Sequence, residues 1–386
     1  MVYVNAAPSR EIGRRPRYQI GDRIAAGGMA EVFRGWQIGE GFERPVAIKR
    51  LLPKLAHDAR YAWLVEHEAD VLARMQHPNI VQLIDVAHDD DGPLLVLEYI
   101  DGIHLRKLFH SGALSPAVIV FIVAEILNGL GYAHHLPTND GRVLGVVHRD
   151  VSLDNILVSW DGAVKLADFG IAKRRDKTEV SMTLPVQGKS GYMSPEQHRG
   201  EPLDGRSDLY SVGVMLWELL AHERLFARET AGQFERVPRP STRRPVPRDL
   251  EAVAMKLLRP NRERRYRTAE AAYDAIARCD AGSWLRGRVE LIELLAERFP
   301  DQAARRSARR PRVSPDPPTP KLAGLPGARR VAVRERWRRW RWSMRRARWE
   351  RQRWRARRLP RRGWRVMTIA VCVAAMLGLA LVLMRR

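Results

Sequence analysis

The spacing of apolar residues divides most of the chain into a strand-rich part followed by a helix-rich part. Short apolar runs at 44–49 and 94–99 predict strands, and helical spacing over 61–75 predicts one helix with Trp63 on its apolar side. From residue 113 onward, apolar residues recur mainly at helical spacing. Strands first and helices later predict an α+β domain of two unequal lobes.

The helix-rich part opens on a clear start signal. Ser115 suits the cap of a helix and Pro116 suits its first turn, so a long apolar helix is predicted from there to about His135. Further helices are predicted over 207–220, 249–258 and 268–278.

Two short apolar runs, 156–159 and 163–167, are joined around Asp161-Gly162, which is a strong hairpin signal. Such a hairpin brings Asn155 and Asp168 to the same end.

The segment 366–384 contains nineteen residues without a charge. At ~1.5 Å rise per residue a helix of this length reaches about 28 Å, close to the ~30 Å hydrocarbon core of a bilayer. A buried core helix is the alternative, but core helices seldom lack polar residues on every side. The segment therefore predicts a transmembrane helix.

The net charge of +23 is concentrated in one stretch. Residues 329–365 hold eighteen Arg and two Glu, with six Trp interleaved. Next to a membrane span, this composition favours an anionic membrane surface as the partner, because Arg meets lipid headgroups and Trp prefers the interface. Nucleic acid and a merely solvated helix are the weaker alternatives.

The position of this Arg-rich stretch before the span also predicts how the chain is oriented in the membrane. Arg-rich flanks stay on the cytoplasmic side, so the folded part is expected in the cytoplasm, held at the inner cell membrane by a single pass. The chain has only two cysteines, Cys279 and Cys372, which argues against a disulfide framework and fits a reducing compartment.

Several short motifs stand in a fixed order along the strand-rich and helix-rich parts. They are a glycine-containing loop at 24–32, Val-Ala-Ile-Lys at 46–49, His-Pro-Asn-Ile at 77–80, Leu-Glu-Tyr at 97–99, His-Arg-Asp at 148–150, Asp-Phe-Gly at 168–170 and Ser-Pro-Glu at 194–196. Each is weak alone, but the ordered set is specific. Residues 18–280 resemble a bacterial eukaryotic-like (Hanks-type) serine/threonine protein kinase, whose fold has two lobes.

The resemblance implies a site for ATP and Mg²⁺ acting on protein substrates. Asp150 would be the catalytic base, Lys49 would contact phosphates, and Glu68 would pair with Lys49, with Glu66 as the competing candidate. Asn155 and Asp168 would bind Mg²⁺. The implied nucleotide contacts are Ile24, Ala25, Gly27, Gly28, Val32, Ala47, Lys49, Glu98, Ile100 and Leu157.

The motifs depart from the family at a few positions. Ala25 and Ala30 stand where glycines are usual, and Ser152 stands where a Lys usually contacts the γ-phosphate. Lys189 stands where a Thr usually faces that Lys. We hypothesise a compensating exchange in which Lys189 supplies the positive charge missing at Ser152 and so acts as a catalytic residue. The alternative reading is a membrane-held pseudokinase scaffold without turnover.

The resemblance also implies structural roles. Glu196 is expected to pair with Arg265. Asp208 is expected to anchor the backbone of the catalytic loop, residues 148–155. Arg149 is expected to bind a phosphate carried by the activation segment, residues 168–196. Thr178, Ser181 and Thr183 are the candidate phosphorylation sites.

The predicted order of segments is an N-terminal extension (1–17), the kinase domain (18–280), an extension with a Pro-rich linker (281–328), the Arg/Trp segment (329–365) and the span (366–384). The sequence leaves dimerisation open.

Overall fold

The chain folds into a strand-rich N-terminal lobe and a helical C-terminal lobe, as the sequence predicts. The structure is a computed structural model and describes residues 17–39, 41–56, 58–90, 92–137, 144–169, 190–226, 236–279 and 283–302. The predicted Pro-rich linker, Arg/Trp segment and transmembrane helix lie outside these residues and stay predictions.

The N-terminal lobe is built on a five-stranded antiparallel sheet in the order β1-β2-β3-β5-β4. The strands are β1 Arg17–Ala26, β2 Ala30–Gly39, β3 Phe42–Leu51, β4 Leu83–Asp89 and β5 Gly92–Glu98. Val46 and Ile48 alternate along β3 and are fully buried against Leu94 and Val96 of β5. This alternation leaves Ala47 and Lys49 directed to the other face of β3.

Two helices follow β3, α1 Pro53–Ala56 and α2 Ala59–Leu72. The Asp58 side chain caps α2 by accepting from the Arg60 backbone N–H at 3.0 Å. The cap fixes where α2 begins, just after the short α1.

The buried face of α2 is formed by Val65, Glu68, Ala69 and Leu72, at helical spacing. The prediction that Trp63 belongs to the apolar face is wrong. Its side chain is 52% exposed and stacks on His67 with 5.2 Å between ring centroids. The buried polar residue on this face, Glu68, is therefore carried into the lobe by apolar neighbours.

The C-terminal lobe is organised around one apolar helix that is buried along most of its length, α4 Pro116–His134. Ser115 caps it by accepting from the Val118 N–H at 3.3 Å, as predicted. Among the described residues, α4 is the helix long and apolar enough to span a bilayer, and 78% of its most apolar window is buried within the lobe. The other helices are α3 Leu105–His110, α5 Pro195–His198, α6 Gly205–Ala221, α7 Arg248–Leu257, α8 Ala269–Cys279 and α9 Ser283–Arg298.

A small three-stranded sheet, β6 Gly102–His104, β7 Ile156–Ser159 and β8 Val164–Leu166, includes the predicted hairpin. Its turn closes through a 2.9 Å hydrogen bond from the Ser159 N–H to the Ala163 carbonyl. Gly162 has φ of +72°, a conformation that favours glycine, which explains the Asp161-Gly162 signal.

Helix α9 was not predicted, because the region after residue 280 was interpreted as an extension and linker. It packs on α4, with Leu291 and Leu295 0% and 1% exposed in the main hydrophobic core. A Cβ at Gly287 would lie 2.3 Å from the Ala117 carbonyl oxygen, so only glycine permits this close approach. The Arg298 guanidinium donates to the Ala113 carbonyl at 2.7 Å. The folded core therefore includes residues beyond 280.

Replacing Leu291 by Ala should destabilise the protein by about 2–5 kcal/mol, because it removes buried methyl groups and leaves a cavity. Val289 lies on the same helix but is 49% exposed, so Val289→Ala should cost no more than ~0.5 kcal/mol. Urea unfolding followed by tryptophan fluorescence measures both. Equal effects of the two substitutions would show that α9 does not contribute its core face to stability.

Candidate active site

The ammonium group of Lys49 joins three separate segments of the chain. Its Nζ lies 2.8 Å from Glu68 Oε1 on α2 and 3.1 Å from Asp168 Oδ1, just after β8. The ion pair of Lys49 with Glu68 that the sequence predicts is therefore present. Glu66, the competing candidate, is exposed on α2, whereas Glu68 is buried.

The two carboxylates determine the charge state of Lys49. Burial on its own lowers the pKa of an ammonium group, but the neighbouring Asp168 and Glu68 carboxylates outweigh burial and hold the pKa of Lys49 above its ordinary value. The Lys49 side chain therefore carries a positive charge within the site.

The catalytic loop is held by one buried carboxylate, that of Asp208 on α6. Its two oxygens accept from the backbone N–H groups of His148 and Arg149, each at 2.8 Å, and Oδ2 also lies 2.8 Å from His134 Nε2. Arg149 has φ of +67°, which costs a non-glycine residue energy. The Asp208 hydrogen bonds stabilise that backbone conformation, as the expected anchoring role requires.

His148 is buried and takes a defined tautomer. The Asp150 N–H points at its Nδ1 at 3.3 Å, so Nε2 carries the proton and donates to the Ala167 carbonyl at 3.2 Å. Burial lowers the pKa of His148, so the ring is neutral. Its ring contacts Phe169, with 4.4 Å between centroids, and so connects the catalytic loop to the segment after β8.

The carboxylate of Asp150 is oriented by Asn155. The Asn155 side-chain amide donates to Asp150 Oδ2 at 2.9 Å and to the Asp150 carbonyl at 2.7 Å. The Asn155 carbonyl also accepts from the Ala167 N–H at 2.9 Å, which places Asp168 next to it. The hairpin thus brings the two predicted metal ligands, Asn155 and Asp168, to the same end.

Several residues named for a nucleotide lie on β1 and β2 and in the turn between them. The turn after β1 closes with a 2.8 Å bond from the Gly27 N–H to the Ala30 carbonyl. Val32 lies opposite Lys49 in the ladder. Ile24 is 48% exposed, an apolar surface that a base could cover.

The other predicted nucleotide contacts lie on or next to β1, β3, β5 and β7. Ala47 on β3 lies opposite Leu97 at the end of β5. The Glu98 N–H donates to the Gln82 carbonyl at 2.9 Å and its carboxylate accepts from Lys165 at 2.7 Å, so only its carbonyl is a candidate partner for a base. The remaining residues of the predicted set, Ala25, Gly28, Ile100 and Leu157, lie at the end of β1, in the turn, just after β5 and on β7.

The donor set fits magnesium with a nucleotide better than a closed protein cage. Within the ranges that the structure describes, no group of three or more His, Cys, Asp or Glu side chains is arranged to hold a metal ion. Mg²⁺ in phosphoryl-transfer sites typically takes one or two protein ligands plus phosphates and waters. Asn155 and Asp168 supply that number.

Ser152 is 1% exposed, and its hydroxyl oxygen is buried without a hydrogen-bond partner. Such groups are rare in native proteins and each calls for a cause. Its proposed counterpart, Lys189, lies outside the described residues, as do Thr178, Ser181 and Thr183. The structure therefore leaves the exchange hypothesis as a prediction.

A second charge network, which sequence reasoning missed, ties the catalytic loop to α3. Arg106 donates to both carboxylate oxygens of Asp154, at 2.8 and 3.1 Å, and to the Tyr192 hydroxyl at 3.3 Å. Tyr192 in turn donates to the buried Glu218. Nothing local in the sequence marks Arg106, because its partner is 48 residues away.

Glu196 and Arg265 form the predicted pair, with two guanidinium nitrogens at 2.6 and 2.8 Å from the two carboxylate oxygens. Burial alone would raise the pKa of Glu196, but the hydrogen bonds from Arg265 hold it below its ordinary value. Next to it, Gln197 donates to the Arg149 carbonyl at 2.9 Å. The segment after residue 190 is thereby tied to the catalytic loop.

A two-lobed α+β fold with these motifs assembled at the junction of the lobes defines the protein kinase class. The model of the protein kinase domain family matches residues 18–275, and the chain belongs to that family. Its bacterial relatives place it among the Hanks-type kinases.

Two relatives illustrate the similarity. The chain is 37% identical over 272 residues to the tyrosine-protein kinase MasK of Myxococcus xanthus, covering 67% of this chain and 42% of that one. It is 35% identical over 335 residues to the serine/threonine-protein kinase PknB of Mycolicibacterium smegmatis, covering 83% and 52%. The chain therefore spans about half the length of these relatives.

Among solved structures, the kinase domain of Mycobacterium tuberculosis PknI is similar, with a TM-score of 0.54 and 25% identity. The match covers 68% of this chain and 96% of that one. It supports the two-lobed fold.

Replacing Arg265 by Met should destabilise the protein by about 3–5 kcal/mol, because it leaves the Glu196 carboxylate buried without its partner. The matched control is Arg199→Met, which removes an exposed pair with Glu201 and should cost less than ~1 kcal/mol. Thermal and urea unfolding measure both. A cost for Arg265→Met no larger than that of the control would contradict a structural role for the buried pair.

Proposed function

We propose that this chain is an ATP-dependent protein kinase that transfers the γ-phosphate to serine and threonine hydroxyls of proteins. The observation that carries the proposal is the Lys49 ammonium bound to both Glu68 and Asp168. In the same site Asn155 holds Asp150. These groups come from four segments of the chain and meet at one place.

Asp150 is proposed as the base that accepts the proton of the substrate hydroxyl. Its orientation comes from the Asn155 amide, which donates to Oδ2 at 2.9 Å. Because the nitrogen of that amide is used on Asp150, the metal-binding atom of Asn155 would be Oδ1. One side chain would thus position both the base and the metal.

Lys49 is proposed to bind phosphate oxygens of the nucleotide, with Glu68 as the residue that positions it. Mg²⁺, when bound by Asn155 and Asp168, would neutralise charge on the phosphates during transfer. Asp168 is 44% exposed, so it can reach a ligand in the cleft. Ile24, Val32 and Ala47 supply apolar surface for the base.

Serine and threonine specificity is the finer part of the proposal. Relatives named serine/threonine-protein kinase PknB support it, while the relative named MasK is called a tyrosine-protein kinase. Phosphoamino-acid analysis of the labelled product separates the two. Phosphotyrosine as the main product would reassign the specificity and leave phosphoryl transfer intact.

A pseudokinase scaffold is the alternative, favoured by Ser152 and by Ala25 and Ala30 in the glycine-containing loop. The contact of Asp150 with Asn155 argues against it, since a protein that only binds partners has no need to orient this carboxylate. We therefore favour an active enzyme.

We also propose that the kinase domain is tethered to the cytoplasmic face of the inner membrane. The uncharged segment 366–384 supports a single span, and the eighteen arginines of 329–365 support contact with anionic lipids. Flotation of the full chain with anionic and with neutral liposomes tests the lipid preference.

Replacing Asp150 by Asn should reduce transfer of labelled phosphate from ATP to a basic protein substrate by at least ~100-fold, because the proton acceptor is lost. Asp70→Asn changes an exposed carboxylate on α2 and serves as the control. Label incorporation by the full-length wild type and the control, with none by Asp150→Asn, is the expected result. No incorporation by the wild type would favour the scaffold alternative.

Replacing Lys189 by Ala tests the exchange hypothesis. If Lys189 supplies the charge missing at Ser152, its loss should lower kcat at least ~tenfold, about 1.4 kcal/mol of transition-state stabilisation. Lys54→Ala, a change at an exposed lysine of α1, is the control. An unchanged kcat in the Lys189 variant would refute the hypothesis and leave the rest of the site as proposed.

A further inference from the structure

Residues 236–267 of the C-terminal lobe form a strongly basic surface that has no part in the proposed catalysis. Residues 236–267 contain eleven Arg or Lys and three Asp or Glu. A cavity of about 460 Å³ opens in this surface, lined by Arg239, Ala252, Met255, Lys256, Arg259 and Arg264. We refer to it as the basic cavity.

The positive charge of the basic cavity is poorly compensated. Within the part of the chain that the structure describes, the side chains of Arg259 and Arg264 are exposed and form no ion pair. Lys256 lies 4.1 Å above the Tyr266 ring, a contact that leaves its charge in place. Arg239 is 71% exposed and reaches Glu251 only at 3.3 Å.

The acidic residues nearby are already engaged elsewhere. Glu263 lies 2.8 Å from Arg206. Glu251 accepts from the Ser241 N–H at 3.1 Å in addition to Arg239. Four cations therefore converge on one concave site, and among the described residues Glu251 is the carboxylate that forms an ion pair with one of them, Arg239. A ligand with anionic groups would complement the others.

The shape and lining distinguish between kinds of anionic partner. The cations surround a concavity whose apolar wall is Met255 and Ala252, which suits acidic side chains on a peptide that also carries apolar residues. A bilayer would favour large exposed apolar residues. Among the described residues, those with exposed large hydrophobic side chains lie outside 236–267. No aromatic side chain stands exposed in this range to stack on a base, as single-stranded nucleic acid would favour.

The basic cavity is also close to the end of the activation segment. Arg265, next to Arg264, donates to the carbonyls of Arg259 and Pro260 at 2.7 and 3.0 Å and pairs with Glu196. The loop that forms one wall of the cavity is thus fixed to the residue that ends the Ser-Pro-Glu motif. An occupant of the cavity would lie on the same lobe as the protein substrate.

We propose that the basic cavity docks an acidic peptide segment of a partner protein, through Arg239, Lys256, Arg259 and Arg264. The docking is a binding event and needs no phosphoryl transfer, so it can be tested whether or not the proposed kinase activity holds.

The test is fluorescence anisotropy of a labelled glutamate-rich peptide titrated with the full chain. The Arg259→Glu, Arg264→Glu double variant should bind at least ~tenfold more weakly, about 1.4 kcal/mol, because two attractions become repulsions. The control is Arg278→Glu, which changes an exposed arginine of the same lobe that does not line the cavity. Its affinity should stay within about twofold of wild type, since surface charges contribute little at a distance.

The Arg-rich segment 329–365 is present in every variant and contributes equally to each, so a difference in affinity between variants reports the cavity residues. The same peptide with Gln in place of Glu should show no difference between wild type and double variant. Circular dichroism checks folding, and Arg264→Gln, expected to weaken binding by a smaller factor, replaces the double variant if that one unfolds.

Equal affinity of wild type and double variant for the glutamate-rich peptide would overturn the proposal. So would a double variant that keeps peptide affinity but loses binding to phosphatidylglycerol vesicles or to single-stranded DNA, since either result would assign the cavity to another partner.

Discussion

The arrangement of the site depends on one largely buried ammonium group shared by two carboxylates. Lys49 is fixed in the middle of the sheet, Glu68 comes from a helix and Asp168 from the segment after a hairpin, so their pairing sets the distance between three otherwise separate pieces. Removing a charge from water is costly unless it is paired. Lys49 and Glu68, which lie largely out of water, would carry that cost if left alone, so the segments that bear them favour the paired arrangement.

A second constraint keeps the catalytic loop in a conformation that it would not adopt by itself. Arg149 and Asp168 both have positive φ, +67° and +54°. Backbone strain of this kind persists where the surroundings over-determine it. For Arg149, the surrounding groups are the Asp208 carboxylate, which accepts from its N–H, and the Gln197 amide, which donates to its carbonyl. Helices α5 and α6 therefore hold the backbone of the catalytic loop at Arg149 in this conformation.

The sequence predicts well what is local or follows a fixed spacing. The hairpin at Asp161-Gly162 and the cap at Ser115 follow from short-range patterns, and the structure has both. The choice of Glu68 over Glu66 rests on the family resemblance, and the structure has that pair too. Trp63 lies on the exposed side of α2, because Val65, Ala69 and Leu72 at helical spacing form the face that is buried. The sequence does not predict α9, because Leu291 and Leu295 are buried only through packing on α4, which is distant in the chain.

Contacts between distant residues were beyond the reach of local patterns. The pairing of Arg106 with Asp154 joins residues 48 apart, and the basic cavity draws on several elements. The pairing of Arg106 has no local signature, since a charged residue in a short helix most often faces solvent. The cavity has one, the excess of Arg and Lys over 236–267, but only the fold shows which of these side chains surround a concavity. The pairs that were found, such as Glu196 with Arg265, were found through family resemblance, which carries long-range information that periodicity does not.

The central claim is that Lys49, Asp150, Asn155 and Asp168 form one site for a metal-bound nucleotide. The most direct measurement is a crystal structure with a non-hydrolysable ATP analogue and Mn²⁺, whose anomalous signal locates the metal. The account predicts a metal between Asn155 Oδ1 and the Asp168 carboxylate, with phosphate oxygens on Lys49. A nucleotide bound with its phosphates away from Lys49, or a metal that touches neither Asn155 nor Asp168, would contradict it.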